Sequence, residues 1–264
     1  SKGLLIVPVF SNELKRLPAE IPTAVKDFIK QRVKAKEFAA NFLEGLFTYQ
    51  KVKGLPEKLL VIGCGKSEGF NVERARNLGG KMSKAGKCKK ETEIGILLTG
   101  KIADLAGDII EGYVSSQYTN ALFKTTKKTD YSTKTFNLIT SRRDKLLSQE
   151  VTNAQLIANS ANFVKTLVNS PANMINPQRM TSEAKRIAKQ NSYKQIILGD
   201  KQLKKLGCGG ILGVNQGSDQ EAKLIVLEYR GAKKRSERPI VLVGKGVIFD
   251  TGGYNMKRTG SMET

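Results

Sequence analysis

The chain has 264 residues, 39% of them hydrophobic and 26% charged, with 45 Lys and Arg against 24 Asp and Glu. That length suits two domains or one large one, and the composition is globular, with enough apolar material for a core. Histidine is absent and cysteine occurs only at Cys64, Cys88 and Cys208, which excludes Ser-His-Asp and Cys-His catalysis, His-ligated metal sites and a disulfide framework. Any hydrolytic or metal chemistry therefore falls to carboxylates and lysines. No stretch approaches 18 uninterrupted apolar residues, so no membrane partner is expected. The opening SKGLLIVPVF reads as a first strand rather than a signal peptide, and the expected location is the cytoplasm.

Short apolar runs at 4–9, 58–63, 94–99 and 136–140 read as buried strands. Helical patterns at 20–47, 69–87 and 101–122 alternate with them, the first placing Ala24, Phe28, Ile29, Val33 and Phe38 at near-helical spacing. Strands alternating with helices predict an α/β unit with a parallel or mixed sheet, ending near residue 145 in the polar run 141–150 as a connector. A long helix follows over about 150–168, with Leu156, Ile157, Phe163, Val164 and Leu167 on its apolar side, and Asn169-Ser170-Pro171 stops it. Another helix begins at Thr181 and runs to about Gln190. Strands are predicted at 195–198, 223–229 and 239–249, with the glycine-rich stretch Gly207–Gly217 forming turns.

The formal charge of +21 raises nucleic acid as a partner. The basic clusters are Lys81, Lys84, Lys87, Lys89 and Lys90; Lys124, Lys127 and Lys128; and Lys233, Lys234 and Arg235. Lysine far outnumbers arginine and few aromatics interleave, so stacking platforms for bases are not evident. A lysine-rich solvated surface is the plainer reading.

Two short motifs are weighed; the first is set aside and the second is kept as a minor alternative. Gly63-Cys64-Gly65-Lys66-Ser67 ends like a phosphate-binding loop, but Leu60 stands where the first Walker glycine belongs, and Gly69 is one residue late for a dinucleotide fingerprint. A tight strand-to-loop turn remains. Asp250-Thr251-Gly252 resembles an aspartic-protease loop, which would need a second carboxylate from a dimer partner, and a nearby lysine would hold the Asp ionised instead of sharing a proton.

The longer stretch Gly244-Lys245-Gly246-Val247-Ile248-Phe249-Asp250-Thr251-Gly252-Gly253, with Lys257 four residues on, closely resembles the metal-binding segment of the leucyl aminopeptidase (cytosol aminopeptidase) family. Leu167–Asn173, Asn176-Pro177, Gly213–Ser218 and Leu224–Tyr229 resemble family segments in the same order, so the likeness spans about 150–264. Over 1–145 only the Leu60–Lys66 turn echoes it. The resemblance implies an α/β protein: an N-terminal macro-like domain (1–145), then a linker helix and the first part of a zinc-peptidase-like catalytic domain (146–264). It further implies a homohexameric enzyme that releases amino-terminal, leucine-like residues from peptides with two divalent metal ions (zinc, manganese or magnesium). Carried over by position, Asp250 and Lys245 are metal ligands, and Lys257 is the catalytic cation that stabilises negative charge on the substrate carbonyl oxygen. The family pattern continues past Met262-Glu263-Thr264 with further carboxylate ligands and an Arg that holds a bicarbonate ion. The chain is therefore expected to be a piece of a longer enzyme, inactive or nearly so by itself. The rival readings are a basic module binding nucleic acid or a nucleotide through the N-terminal domain and, second, a dimeric aspartic protease.

Overall fold

The structure is a computed structural model that describes residues 3–49, 51, 53–120, 123, 125, 135–142, 144–232, 238–252, 254–258 and 260–261. The chain divides into two compact units, Ser1–Thr166 and Leu167–Thr264.

The first unit runs β1 (Leu4–Val9), α1 (Thr23–Lys34), β2 (Gly45–Tyr49), β3 (Lys58–Gly63), α2 (Val72–Cys88), β4 (Glu93–Leu97), α3 (Gly100–Asp104), α4 (Ala106–Ser115), β5 (Thr135–Ile139) and α5 (Lys145–Val168). Its sheet has the order β2-β3-β1-β4-β5, all neighbours parallel except β2 against β3. Alternation along β1 divides the core in two. Leu4 and Ile6 join Leu78 and Met82 of α2 and Ile109 and Tyr113 of α4, whereas Leu5, Val7 and Val9 join Val25 and Ile29 of α1. Helices thus cover both faces, which is why the central strands are apolar on both sides.

Three features of this unit correct the sequence reading. The helix expected over 20–47 ends at Lys34, and the chain turns through positive φ at Lys36, Ala40 and Leu43 before forming β2. Phe38 and Ala40 are buried in that loop, and the Glu44 carboxylate accepts the N–H groups of Ala39 and Asn41, so loop packing overrides helical spacing. The helical run expected over 101–122 is two helices with a break at Leu105, and α4 stops at Ser115. The connector at 141–150 is already helix from Lys145, because Asp144 accepts the N–H of Leu147 at 2.8 Å and caps the first turn.

The second unit contains α6 (Pro177–Asn191), β6 (Lys194–Leu198), α7 (Asp200–Lys205), α8 (Gly209–Asn215) and β7 (Leu224–Glu228), with β6 and β7 paired antiparallel. Helix α6 starts at Pro177, not Thr181: Asn176 accepts the N–H of Arg179 at 2.8 Å and Pro177 fills the first turn, where a missing N–H does no harm. Within the glycine stretch, Gly207 takes φ +68° at the end of α7, and α8 then forms where turns alone were expected. The strand expected at 239–249 is absent. Residues 238–249 form neither helix nor strand, and Ile240, Leu242 and Val243 are more than 90% exposed. A strand exists only with a hydrogen-bonded neighbour, and β7 has β6 as its sole partner among the described residues.

Candidate functional site

The turn after β3 is built for chain packing. A Cβ on Gly63 would lie 2.2 Å from the Asn41 carbonyl oxygen, and Gly65 sits at φ +71°. The Ser67 N–H, which a phosphate would need, donates instead to Asn12 at 3.1 Å, and the Ser67 carbonyl accepts from the Lys101 ammonium at 2.7 Å. The structure thus agrees with a strand-to-loop turn there.

Of the basic clusters, Lys87 donates to the carbonyls of Ser116 and Gln117, and Lys89 lies 3.6 Å above the centre of the Phe47 ring. Lys81 and Lys84 line a groove of about 480 Å³ between α2 and α4 together with Arg76, Ser115 and Ser116. Lys124, Lys127 and Lys128, and Lys233, Lys234 and Arg235, lie outside the described residues, as do Gly253 and Met262–Thr264.

The predicted site residues fall in the segment after β7. Asp250 and Lys257 meet: the Lys257 ammonium donates to Asp250 Oδ2 at 2.9 Å. Asp250 Oδ1 accepts the N–H of Gly252 at 2.9 Å, and the Lys257 N–H donates to the Thr251 carbonyl at 2.9 Å. Gly252 is at φ +88°, and a Cβ there would sit 2.4 Å from the Asn255 carbonyl oxygen, so this loop demands glycine. Lys257, then the Gly252 N–H, hold the Asp250 carboxyl below the usual carboxylate range, with the charge of Lys245 adding a smaller pull. No ion pair or hydrogen bond joins Lys245 to Asp250 among the described residues. An ionised Asp tied to a lysine is the reverse of a proton-sharing aspartate pair, which counts against the aspartic-protease reading.

The Gly252 N–H and the Thr251 carbonyl were not among the sequence candidates, although Asp-x-Gly is a turn signal in its own right. The Asp250 carboxylate is half-exposed, and its Oδ2 is held by the Lys257 ammonium. Among the described residues no cluster of three or more His, Cys, Asp or Glu is disposed to hold a metal. Asp250 supplies one carboxylate there, and among the described residues no second donor, Lys245 included, is brought to it. No helix among the described residues is long and apolar enough to cross a membrane.

Comparison with known proteins agrees along most of the chain. A cytosol aminopeptidase of Brucella melitensis, described as probable, is 35% identical over 214 residues, covering 78% of this chain and 43% of the relative. The cytosol aminopeptidase of Rickettsia prowazekii is 29% identical over 235 residues, covering 86% and 46%. The chain therefore spans a little under half the length of these curated relatives. A solved tomato leucine aminopeptidase mutant superposes with a TM-score of 0.80 at 20% identity over 96% of this chain and 53% of that one, which shows the fold. The mixed α/β architecture is that of the leucine aminopeptidase N-terminal domain with part of the catalytic domain. Residues 6–127 match the profile of the cytosol aminopeptidase family N-terminal domain and residues 162–264 that of its catalytic domain, and the chain belongs to that family.

Proposed function

We propose that this chain is the amino-terminal part of an aminopeptidase that releases amino-terminal residues, leucine-like ones above all, from peptides. The observation that supports it most directly is the run from Lys245 to Lys257 inside the catalytic-domain match at 162–264. In this reading 1–145 is the macro-like domain, and 146–264 is the linker helix with the beginning of the catalytic domain.

Asp250 and Lys245 are taken as ligands of two divalent ions, zinc, manganese or magnesium. Such ions, when bound, supply Lewis-acid polarisation of the scissile carbonyl and of the attacking water. Lys245 can serve only as a neutral amine, so it must give up its proton on binding. Lys257 keeps its proton and sets an ammonium beside the carbonyl oxygen as negative charge grows there. The Gly252 N–H fixes the Asp250 carboxylate from within the loop. The working assembly is read as a cytoplasmic homohexamer, with bicarbonate belonging to the full-length site.

The test is manganese-dependent release of leucine from a leucyl anilide, by the 264-residue chain and by one extended to the length of its relatives. The extended chain is expected to be active and chelator-sensitive, and Asp250→Ala or Lys257→Ala to lower kcat/KM by roughly 100-fold or more. An inert extended chain would sink the aminopeptidase reading. Equal activity from the 264 residues would overturn the requirement for further ligands.

The first unit supports a second reading, a nucleic-acid- or nucleotide-binding module. Arg76 of the α2–α4 groove is tied to Glu111 and Asp108, but Lys81 and Lys84 have no charged partner among the described residues. DNA affinity that falls steeply with salt would support it, and no retention even at low salt would remove it.

A further inference from the structure

Helices α2 and α4 meet at Gly79 and Gly112, and the groove of about 480 Å³ beside that contact belongs wholly to the first unit. Two bridges join the helices. The Arg76 guanidinium reaches Glu111 at 3.0 Å and Asp108 at 3.5 Å, and the Lys87 ammonium donates to the Ser116 and Gln117 carbonyls. Between these bridges along α2, Lys81 and Lys84 line the groove with no hydrogen bond or ion pair among the described residues, and Lys81 is partly buried. Asn77 and Ser115 add an amide and a hydroxyl to the same lining. The groove stays open because Gly80 carries no side chain: a Cβ there would come no nearer than 3.8 Å to its closest neighbour, the Ser116 Cβ. A partly buried ammonium without an anion gives up hydration and gains nothing for it, so this stretch favours negative charge.

We propose that the α2–α4 groove is a binding site for a small phosphate monoester, whose dianionic head group is held by the Lys81 and Lys84 ammoniums. The proposal rests on the reading of the first unit as an anion-binding module and narrows it to a class of ligand. Arg76 is neutralised by its own carboxylates, so two uncompensated positive charges remain, which one dianion matches and one carboxylate does not. A phosphate monoester is dianionic above its second pKa, near about 6, and its oxygens accept from lysine, amide and hydroxyl donors alike. No aromatic residue is among those lining the groove, so the head group is read and a base is not. The bridges at Arg76 and Lys87 confine the open stretch to about two turns of α2, which suits a terminal phosphate better than the continuous diester backbone of a nucleic acid.

Isothermal titration calorimetry of the 264-residue chain with glycerol phosphate, at low salt and about pH 8, tests the assignment. Lys81→Gln and Lys84→Gln are each expected to weaken binding about fivefold to tenfold, the scale of one charge-assisted hydrogen bond. Gly80→Met keeps every charge and fills the groove, and is expected to weaken binding as much with no fall in thermal midpoint. Lys30→Gln removes a lysine from α1, on the opposite face of the sheet, and is expected to leave affinity within about twofold. Adenosine monophosphate should bind within about twofold of glycerol phosphate, because the base finds no stacking partner. Full affinity in Gly80→Met would put the ligand elsewhere, and equal losses from Lys30→Gln and Lys81→Gln would reduce the effect to net charge; either overturns the proposal. So would adenosine monophosphate binding more than about tenfold tighter than glycerol phosphate, since the base would then be read. Retention of duplex DNA at low salt without binding of glycerol phosphate would overturn this site and keep the nucleic-acid reading, whereas a chain that holds neither removes both.

Discussion

Arg142 follows β5, and its guanidinium joins three segments of the first unit. It donates to Glu150 from both terminal nitrogens at 2.9 and 2.7 Å, to Asp144 at 2.6 Å, and to the Ala103 carbonyl at 3.2 Å. Such a fork ties the end of β5 to α3 and to the first turns of α5. Arg142→Ala is expected to destabilise the chain by about 1–2 kcal/mol in urea unfolding, somewhat more than an ordinary exposed pair. Arg142, then the Leu147 N–H, hold the Asp144 carboxyl below its ordinary value. A depressed carboxyl contributes stability above its unfolded pKa, near 4, and loses that contribution as pH falls through the lower folded value. Asp144→Asn should therefore flatten the fall of stability below about pH 4, measured as urea midpoints across pH. At this scale the sequence was informative about identity and silent about contact. Lys245, Asp250 and Lys257 stand out because residue type and spacing match the family pattern over Gly244–Gly253 and again at Lys257. That Lys257 closes on Asp250 while Lys245 does not is a matter of loop geometry, which spacing along a chain does not encode.

The crossing of α2 and α4 depends on glycine. A Cβ on Gly79 would lie 2.0 Å from the Ile109 carbonyl oxygen, and one on Gly112 would lie 2.0 Å from that of Arg76. At Gly80, one residue along, the nearest neighbour would be the Ser116 Cβ at 3.8 Å. Gly79→Ala is expected to lower stability by about 1–3 kcal/mol, because backbone atoms must move apart. Gly80→Ala should raise it by about 0.5–1 kcal/mol through helix propensity. Opposite shifts in thermal midpoint for these adjacent substitutions would check the packing, and equal shifts would refute it. Elements were legible where one physical signal dominated. The apolar runs of β1 and β3 announce strands buried on both faces, and Asn169-Ser170-Pro171 stops α5. Strand β2 was hidden because Phe38 lies at helical spacing from α1, yet is buried as part of a loop. The start of α6 was present in Asn176-Pro177 and was outweighed by the later Thr181. Residues 239–249 show the opposite limit: apolar character makes a strand available, and only a neighbour makes it a strand.

Across the whole molecule, part of the +21 charge has structural work. Carbonyls at the C-terminal end of a helix lack intrahelical donors, and lysines meet those at the end of α4: Lys165 at Ser115, and Lys87 at Ser116 and Gln117 just beyond it. Positive charge is thus consumed at a helix end before any partner is considered, while Lys81 and Lys84 remain on the groove between α2 and α4. The exposed segment 238–249 has a thermal consequence of its own. The heat-capacity increment of unfolding arises from apolar surface newly wetted, and Ile240, Leu242 and Val243 are already wet in the native chain. For a fully packed chain of this length the increment would be about 3–4 kcal/mol/K, from roughly 12–15 cal/mol/K per residue. Scanning calorimetry of these 264 residues should return a smaller value, and the stability curve should be correspondingly flatter with temperature.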